Sequence, residues 1–404
     1  MLYYFFILFC KALLIGYPNR YYRANITNNN TDEEELNKIK NDKSLRIRNY
    51  FNRYLAFDDN GNLTSTIRVI PYKSFFDNQQ VNVAGIGAVA SLPQYRNKGA
   101  VRQCFSTAFS DMYDEDIAFS YLYGFSTSYY KKFGYCLACD VNEWEVKIHR
   151  IYPCNTKGSY ELVSGDISGL KEVYAQMCKR YSLVVDREED DWNLYGEKDY
   201  VKDNSYTYLY RDENGVPKSF FTYKREANGW ENIMDMGENV YFYDKEGFAA
   251  ILDFAVSLKG NFHVLKMAFP TDAKVDTILE EHAYSAITKK YRSNGMARCV
   301  NLNSVLQKTT FCGNGEVILK INDDMISQNN GTWKIVFENN RLLSIEKTTE
   351  KPFAEMSIDI FTAMILGRYD IKDAEYISGL DIYSNKDELT KIFYKRKLAI
   401  YDHF

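Results

Sequence analysis

Residues 85–99 read Gly85-Ile86-Gly87-Ala88-Val89-Ala90-Ser91-Leu92-Pro93-Gln94-Tyr95-Arg96-Asn97-Lys98-Gly99. Small and apolar residues from Val81 to Ser91 form a strand, and Pro93, which lacks an N–H for a ladder, ends it. Beyond Gly99 the period changes. Val101, Cys104, Phe105, Ala108, Phe109 and Met112 recur at steps of three and four and share one helix face. Arg96 to Ala100 is therefore a short basic loop between a strand and a helix start. Such a start offers unpaired N–H groups and the positive end of the helix dipole, and Gly99 lets an anion approach the backbone. A pyrophosphate there gains about 1–2 kcal/mol from the dipole. The plainer alternative is a basic surface turn capping a helix.

Working outward, the apolar run Ile117 to Phe125 is a buried strand parallel to Val81–Ser91, which completes a right-handed strand–helix–strand crossover. Upstream, Asp58-Asp59-Asn60-Gly61-Asn62 is a hairpin turn joining Tyr54–Phe57 to Leu63–Ile70. Downstream, Trp144, Val146 and Ile148 alternate with Glu143, Glu145 and Lys147, as in a half-buried antiparallel strand. A second block, about Ser159 to Glu281, repeats the theme. It has a helix over Ile167–Tyr181, a hairpin from Tyr206–Tyr210 to Lys218–Tyr223, and a helix over Lys245–Leu258. No Gly-rich loop lies between strand and helix there, so it reads as a degenerate copy that has lost its phosphate loop. A third block, from about Met296, holds strands at Glu316–Ile321, Gly331–Phe337 and Arg341–Thr348, then helices at Ser357–Leu366 and Asp387–Phe393. The expected class is α/β with α+β character, in domains 1–155, 156–290 and 291–404.

Bulk properties narrow the function. At 404 residues the chain exceeds one ordinary core. Its 46% hydrophobic and 26% charged residues are the balance of a folded globular protein. Fifty basic residues face 54 acidic ones, and no Lys/Arg block is long enough to follow a phosphate backbone, which argues against nucleic acid as a partner. Eight scattered cysteines suit reduced thiols in a cytoplasm. Cys136 and Cys139 form a lone CxxC with only His149 nearby, which falls short of a metal site, so no metal is expected. The apolar stretch Met1–Gly16 is interrupted by Lys11 and falls short of the ~20 residues that cross a bilayer. It reads as a buried first helix or strand, with no membrane partner. Four histidines make a hydrolase triad hard to build, and Cys104 on the buried helix face argues against a ping-pong thiol.

The stretch 85–99 resembles the acetyl-CoA motif of GNAT enzymes. Tyr121-Leu122-Tyr123-Gly124-Phe125-Ser126-Thr127-Ser128-Tyr129-Tyr130-Lys131-Lys132-Phe133-Gly134-Tyr135 narrows it, because its Phe-Ser-x-x-x-Tyr-x-x-Phe-Gly-Tyr pattern is similar to the Eis (enhanced intracellular survival) acetyltransferases. Met296-Ala297-Arg298, Asn330-Gly331-Thr332-Trp333 and the terminal Phe404 resemble the sterol-carrier-like C-terminal domain of that family. The resemblance implies tandem GNAT-fold domains, each a mixed sheet flanked by helices, followed by a sterol-carrier-protein-like α+β domain. It also implies acetyl-CoA as co-substrate. Val89, Ala90 and Ser91 would pair with the pantetheine arm and acetyl carbonyl. Arg96, Asn97, Lys98, Gly99, Ala100 and Val101 would take the pyrophosphate, and Phe125 would flank the cofactor.

Among 34 tyrosines, Tyr130 matches the family's general acid by its spacing to Phe133-Gly134-Tyr135, with the adjacent Tyr129 as the alternative. The terminal α-carboxylate of Phe404 matches the base, and His403 is a second candidate. Without the resemblance, Asp402-His403-Phe404 reads as a frayed tail. The acceptors implied are amines of aminoglycosides, polyamines or lysine side chains, attacked directly in a ternary complex in a pocket between domains one and three. The assembly implied is a homo-oligomer, a hexamer. A different class of function, a non-catalytic CoA- or lipid-binding regulatory protein, fits the same scaffold.

Overall fold

The computed structural model describes residues 52–195, 200–279 and 286–402. The expectations for Met1–Gly16, His403 and Phe404 fall outside them. The first unit opens with β1 (Asn52–Phe57) and β2 (Leu63–Phe76), joined by the anticipated turn with Gly61 at φ 78°. Asp58 organises that turn by accepting hydrogen bonds from the backbone N–H groups of Asn60 and Asn62. β3 (Gln79–Ser91), helix α1 (Ala100–Asp114) and β4 (Phe119–Leu122) follow. α1 buries Cys104, Phe105, Ala108, Phe109 and Met112, the face its spacing predicts. The short α2 (Thr127–Lys131) and the alternating β5 (Cys136–Lys147) complete the unit.

The second unit holds β6 (Ser159–Leu162), α3 (Ser168–Arg180), α4 (Tyr200–Asp203), β7 (Tyr206–Arg211), β8 (Pro217–Asn228) and β9 (Glu231–Asp235). It continues through β10 (Val240–Phe242), α5 (Lys245–Ser257), β11 (Val264–Pro270) and the long β12 (Ile287–Cys299). Its pairing repeats the first unit's: β9 runs parallel to β11, as β3 does to β4.

The two units trade strands. The sheet order is β1-β2-β3-β4-β12-β5-β11-β9-β8-β7-β6, with β10 attached to β8. β12 therefore lies between β4 and β5, antiparallel to both, and β5 lies between β12 and β11. Each unit's parallel pair is flanked by a strand from the other, so one sheet runs through both. Each CxxC thiol turns to this seam. Cys136 Sγ points to Ala297 O at 3.5 Å and Cys139 Sγ to Asn294 O at 2.8 Å, and burial pushes both thiols up to about 12.

The third unit begins with α6 (Leu302–Lys308), then β13 (Gly315–Asn322), β14 (Gly331–Glu338), β15 (Arg341–Lys347) and β16 (Ala354–Ser357). α7 (Ile358–Ile365), β17 (Leu380–Ile382) and α8 (Lys386–Thr390) follow, α8 ending three residues before the expected Phe393. The separate five-stranded sheet has the order β15-β14-β13-β16-β17. Phe311 stacks on Phe337 at 4.5 Å within its core, and all eight residues of α7 are buried.

Several ion pairs tie the third unit to the sheet, among them Arg368–Asp140 and Arg396–Asp77, and the most deeply buried is Arg298–Asp323. Arg298, at the end of β12, has no exposed side-chain surface and is paired with the equally buried Asp323, its Nη2 standing 2.8 and 2.6 Å from the two carboxylate oxygens. Its Nη1 donates to Phe133 O, and its guanidinium lies 4.3 Å from the Phe109 ring centroid. Asp323 also accepts from Met325 N, Ile326 N and Asn329 Nδ2, while the Asn330 side chain bridges the Asp323 backbone. Removing one member strands a buried charge at a cost of about 3–5 kcal/mol. Arg298→Met and Asp323→Leu are each expected to lower the first calorimetric unfolding transition by several degrees. The double variant should recover much of that loss. Two single variants that melt with the native chain would show that the pair does not hold the units together.

Candidate active site

The site is built where two parallel strands part. β3 and β4 pair from Val83 with Phe119 to Ile86 with Leu122, and the ladder stops there. The cause lies on the other edge of β3. Ala88 and Val89 both stand opposite Ile67 of β2, because Thr66 pairs with Ala90 and Arg68 with Gly87. This is a β-bulge, and Ala88 takes the left-handed φ of 49° it requires. A bulge bends its strand, so β3 turns away from β4 after one shared ladder. The opening between the carboxyl ends of parallel strands is where α/β sheets bind ligands. Val89, Ala90 and Ser91 form one half-buried wall, with Ser91 Oγ 2.6 Å from Ser65 Oγ.

The basic loop follows that wall. Pro93–Tyr95 makes one 3-10 turn, and the Tyr95 hydroxyl donates to Asp58 Oδ2 at 2.7 Å. Hydrogen bonds from the Asn62 side chain and from Tyr95 hold the Asp58 carboxyl down at about 2, so the anchor stays ionised. Asn97 and Gly99 both adopt positive φ, 62° and 81°. α1 then starts with no side-chain cap and no acidic residue in its first turn. Arg96, Lys98 and Arg102 are exposed around it. In the second unit, the crossover helix α5 starts differently. Asp244 caps it by accepting from Gly247 N at 2.8 Å, Glu246 lies in its first turn, and Lys218 Nζ is 3.1 Å from Asp244. Two carboxylates already satisfy that dipole end, whereas the first turn of α1 carries none.

The opposite wall comes from the residues after β4. Ser126 caps α2 by accepting from Tyr129 N at 3.4 Å. Tyr130 projects inward, 4% exposed, among Tyr129, Phe125, Tyr135 and Phe105 at centroid distances of 5.2 to 6.5 Å. Burial first, and then the neighbouring Tyr129, push its phenol up to about 12, so it is protonated at neutral pH. Its hydroxyl makes no hydrogen bond among the described residues. Gly124 makes room for the ring: a Cβ there would sit 2.8 Å from Tyr130 Cδ2 and 3.1 Å from Met296 Sδ. Tyr129 is only half-buried, and Phe125 is 77% exposed beside it at the mouth. Of the two tyrosines, Tyr130 is the one enclosed.

The C-terminal tail reaches the same strand end. Ser182 donates its N–H to Lys397 O and accepts from Ala399 N. Tyr123, the residue following β4, points its hydroxyl at Ile400 O at 3.3 Å, and Asn294 Nδ2 donates to the same oxygen at 3.2 Å. Tyr401 and Asp402 are buried. The tail is therefore held as far as Asp402, while His403 and Phe404 lie outside the described residues. Sequence reasoning missed Tyr123, Asn294 and Arg187, the residue that faces Asp402. Tyr123 was concealed among many tyrosines, and Arg187 in the acidic run Asp186-Arg187-Glu188-Glu189, which reads as a solvated surface.

Burial pushes the Cys104 thiol up to about 12, leaving it a poor nucleophile. Among the described residues no group of His, Cys, Asp or Glu could hold a metal ion, and no helix is long and apolar enough to cross a membrane.

Comparison with known proteins agrees with this architecture. Residues 26–138 match an acetyltransferase (GNAT) domain family and residues 302–400 a sterol carrier protein domain family. No curated protein matches the chain. Among solved structures, a conserved protein from Enterococcus faecalis described as a probable N-acyltransferase superposes with a TM-score of 0.80, at 21% identity over 93% of each chain. A GCN5-related N-acetyltransferase from Anabaena variabilis gives 0.75 at 19% identity, covering 87% of this chain and 89% of that one. Eis1 from Mycobacterium abscessus gives 0.71 at 14% identity, covering 87% and 91%. The chain thus joins a GNAT-type acyltransferase domain to a sterol-carrier-protein-like domain and resembles the Eis-type acetyltransferases.

Proposed function

We propose that this chain transfers an acetyl group from acetyl-CoA to a primary amine of a small polycationic acceptor, an aminoglycoside, a polyamine or a lysine side chain. The observation that carries the reading is the bulge at Ala88, which opens β3 from β4 directly before an uncapped helix start ringed by Arg96, Lys98 and Arg102. The backbone beyond Gly87, left without its β4 partner, offers hydrogen bonds to a pantetheine arm and to the acetyl oxygen at Val89 to Ser91. The N–H groups from Gly99 to Val101 face the pyrophosphate, and the three cations add charge where the second unit has carboxylates.

In the reaction the acceptor's ammonium first gives one proton to the base, the neutral amine nitrogen then bonds to the acetyl carbon, the C–S bond breaks, and the second proton that nitrogen sheds offsets the one the departing thiolate gains. Direct attack suits a site whose Cys104 is buried and protonated. The terminal carboxylate of Phe404, with a reference pKa of about 3.3–3.7, is ionised at neutral pH and draws in a cationic amine. Tyr130 supplies the hydrogen bond to sulfur. A phenol at about 12 is a weaker acid than the thiol it would create, so its proton moves as the C–S bond cleaves and is replaced from the acceptor side. The packed core of the third unit, with Phe311 stacked on Phe337, suits a scaffold that delivers the chain terminus.

Thiol release from acetyl-CoA should be measured over a panel of polyamines, aminoglycosides and lysine peptides, with the native chain and a chain bearing one extra C-terminal glycine. The native chain is expected to turn over at least one of them, and the extension to lower kcat by about a hundredfold or more, in line with loss of a general base. Tyr130→Phe should cut kcat by a similar factor with acetyl-CoA affinity intact. Turnover undiminished by the extension would remove Phe404 as base, and acetyl-CoA binding with no turnover across the panel would favour a regulatory protein. Gly124→Ala, which drives a methyl into the Tyr130 ring, is expected to lower kcat about tenfold or more through misplacement of the phenol, with calorimetric acetyl-CoA binding retained.

A further inference from the structure

Where the second unit meets the first, a recess opens between β5, the end of β11, β12, the connection after β9 and residues 398–401. It has room for about one water-sized group. Asp140 and Glu238 are the partly exposed side chains on its wall that carry charge, and no Lys, Arg or His lines it. Each carboxylate already meets a guanidinium from outside. Arg368 Nη1 stands 2.7 Å from Asp140 Oδ1, and Arg292 Nη2 donates to Glu238. Arg292 also serves Glu143, Nε to Oε1 at 2.6 Å, so three carboxylates share two guanidiniums and a negative charge is left over.

A surplus of carboxylates alone does not make a site. The second sign is Tyr401. It lines the recess, is 7% exposed, and its buried hydroxyl has no hydrogen-bond partner. Burial pushes that phenol well above its usual value, so it stays protonated. A buried hydroxyl left unpaired is costly, and folded proteins keep few of them. The donors nearby are committed elsewhere. Asn294 Nδ2 donates to Glu238 Oε2 at 3.1 Å and to Ile400 O at 3.2 Å, and the Cys139 thiol turns to Asn294 O at 2.8 Å. The recess therefore presents acceptors, two carboxylates and a phenol oxygen, to a space the size of a water molecule.

That set fits a small cation that only donates. A primary ammonium has three N–H donors and no acceptor, which matches two carboxylates and one phenol oxygen in number. A guanidinium or a quaternary ammonium is too large for the space, and a calcium or magnesium ion takes about six oxygen ligands or more. We propose that this recess is a binding site for a primary ammonium group. Two sources carry that group, the far end of a polycationic acceptor and a separate amine. The first suits the layout, because Ile400, which lines the recess, also receives the hydroxyl of Tyr123 at the end of β4. Only this link to the acceptor rests on the acetyl-transfer reading; the site itself does not.

The test titrates the native chain, Tyr401→Phe and Glu238→Gln with methylammonium and with tetramethylammonium by calorimetry, without acetyl-CoA. Thiol release is then measured on putrescine and on butylamine. The native chain is expected to bind methylammonium about tenfold or more tightly than tetramethylammonium, the factor that a hydrogen bond to a charged group provides. Each variant should weaken methylammonium by about the same factor and leave tetramethylammonium unchanged. Tyr401→Phe removes an oxygen that has no partner, so it should melt no lower than the native chain, and Glu238→Gln keeps an oxygen for Arg292. If the group is the far end of the acceptor, both variants raise KM for putrescine about tenfold and leave butylamine as it was. If it is a separate amine, KM is unchanged for both substrates while the calorimetric loss remains. No methylammonium binding by the native chain, equal affinity for the two cations, or methylammonium affinity undiminished in either variant would mean that the recess holds water only, and would overturn the proposal. Methylammonium binding lost in both variants, with no amine turned over by the native chain, would keep the site and count against the acetyl-transfer reading instead.

Discussion

A fully buried guanidinium cannot stand without partners, and Arg298 finds them in three places at once. Its charge is balanced by Asp323 of the third unit, one N–H goes to the carbonyl of Phe133, and its face lies on Phe109 of α1. Phe133 precedes Gly134, whose φ of 81° and closeness to Arg298 leave no space for a side chain. The Tyr130 loop is thus pinned by a residue more than 160 positions later, and that residue is neutralised by a carboxylate of another domain. The catalytic tyrosine proposed for the first unit depends on the third unit being folded. The sterol-carrier-like domain thus supplies the buried charge that neutralises Arg298.

The exchange of β5 and β12 carries the same dependence into the sheet. In each unit a parallel pair has a neighbour contributed by the other unit, so neither could close its sheet alone. The two resulting openings have opposite electrostatics. The first faces a helix start free of caps and carboxylates, and the second a helix start occupied by Asp244 and Glu246. Two units with the same parallel pairing therefore differ at the helix start, uncapped in the first and capped in the second, and the second also holds the aromatic pocket around Arg187.

Local chemistry was legible in the sequence wherever a short segment decides its own conformation. Pro93, Gly99 and the 3.6-residue spacing of α1 set the strand, loop and helix, and Asn60-Gly61 set the hairpin. The missing phosphate loop of the second block also stood out, since a glycine-poor connection cannot wrap an anion. The bulge was not legible: Ala88 is an ordinary strand residue until its φ is seen, and any small residue could have stood there. The placement of β12 was equally hidden, because strand order depends on pairing between residues over a hundred positions apart. Arg187 shows the limit most clearly. Acidic neighbours in sequence imply solvent, yet its side chain turns inward, and only the tertiary arrangement of Asp402 with the rings of Tyr174, Trp192, Tyr195 and Tyr241, from three separate elements, makes a buried arginine tolerable.

The tail brings these constraints to one place. Chain ends usually fray because few contacts repay the entropy of ordering them. Here residues 397–402 make backbone hydrogen bonds to Ser182, side-chain contacts to Tyr123 and Asn294, and an ion pair to Arg187. Ser182 and Arg187 belong to the second unit, Asn294 to the exchanged strand and Tyr123 to the end of β4. A segment that bridges all of these is held in the frame of the sheet itself, and β3 and β4 part in that same frame. The strand that carries Asn294 also carries Arg298. Arg298, which fixes the Tyr130 loop, and Asn294, which holds the tail, lie four positions apart on β12, so a shift of that one strand would move the Tyr130 wall and the tail together.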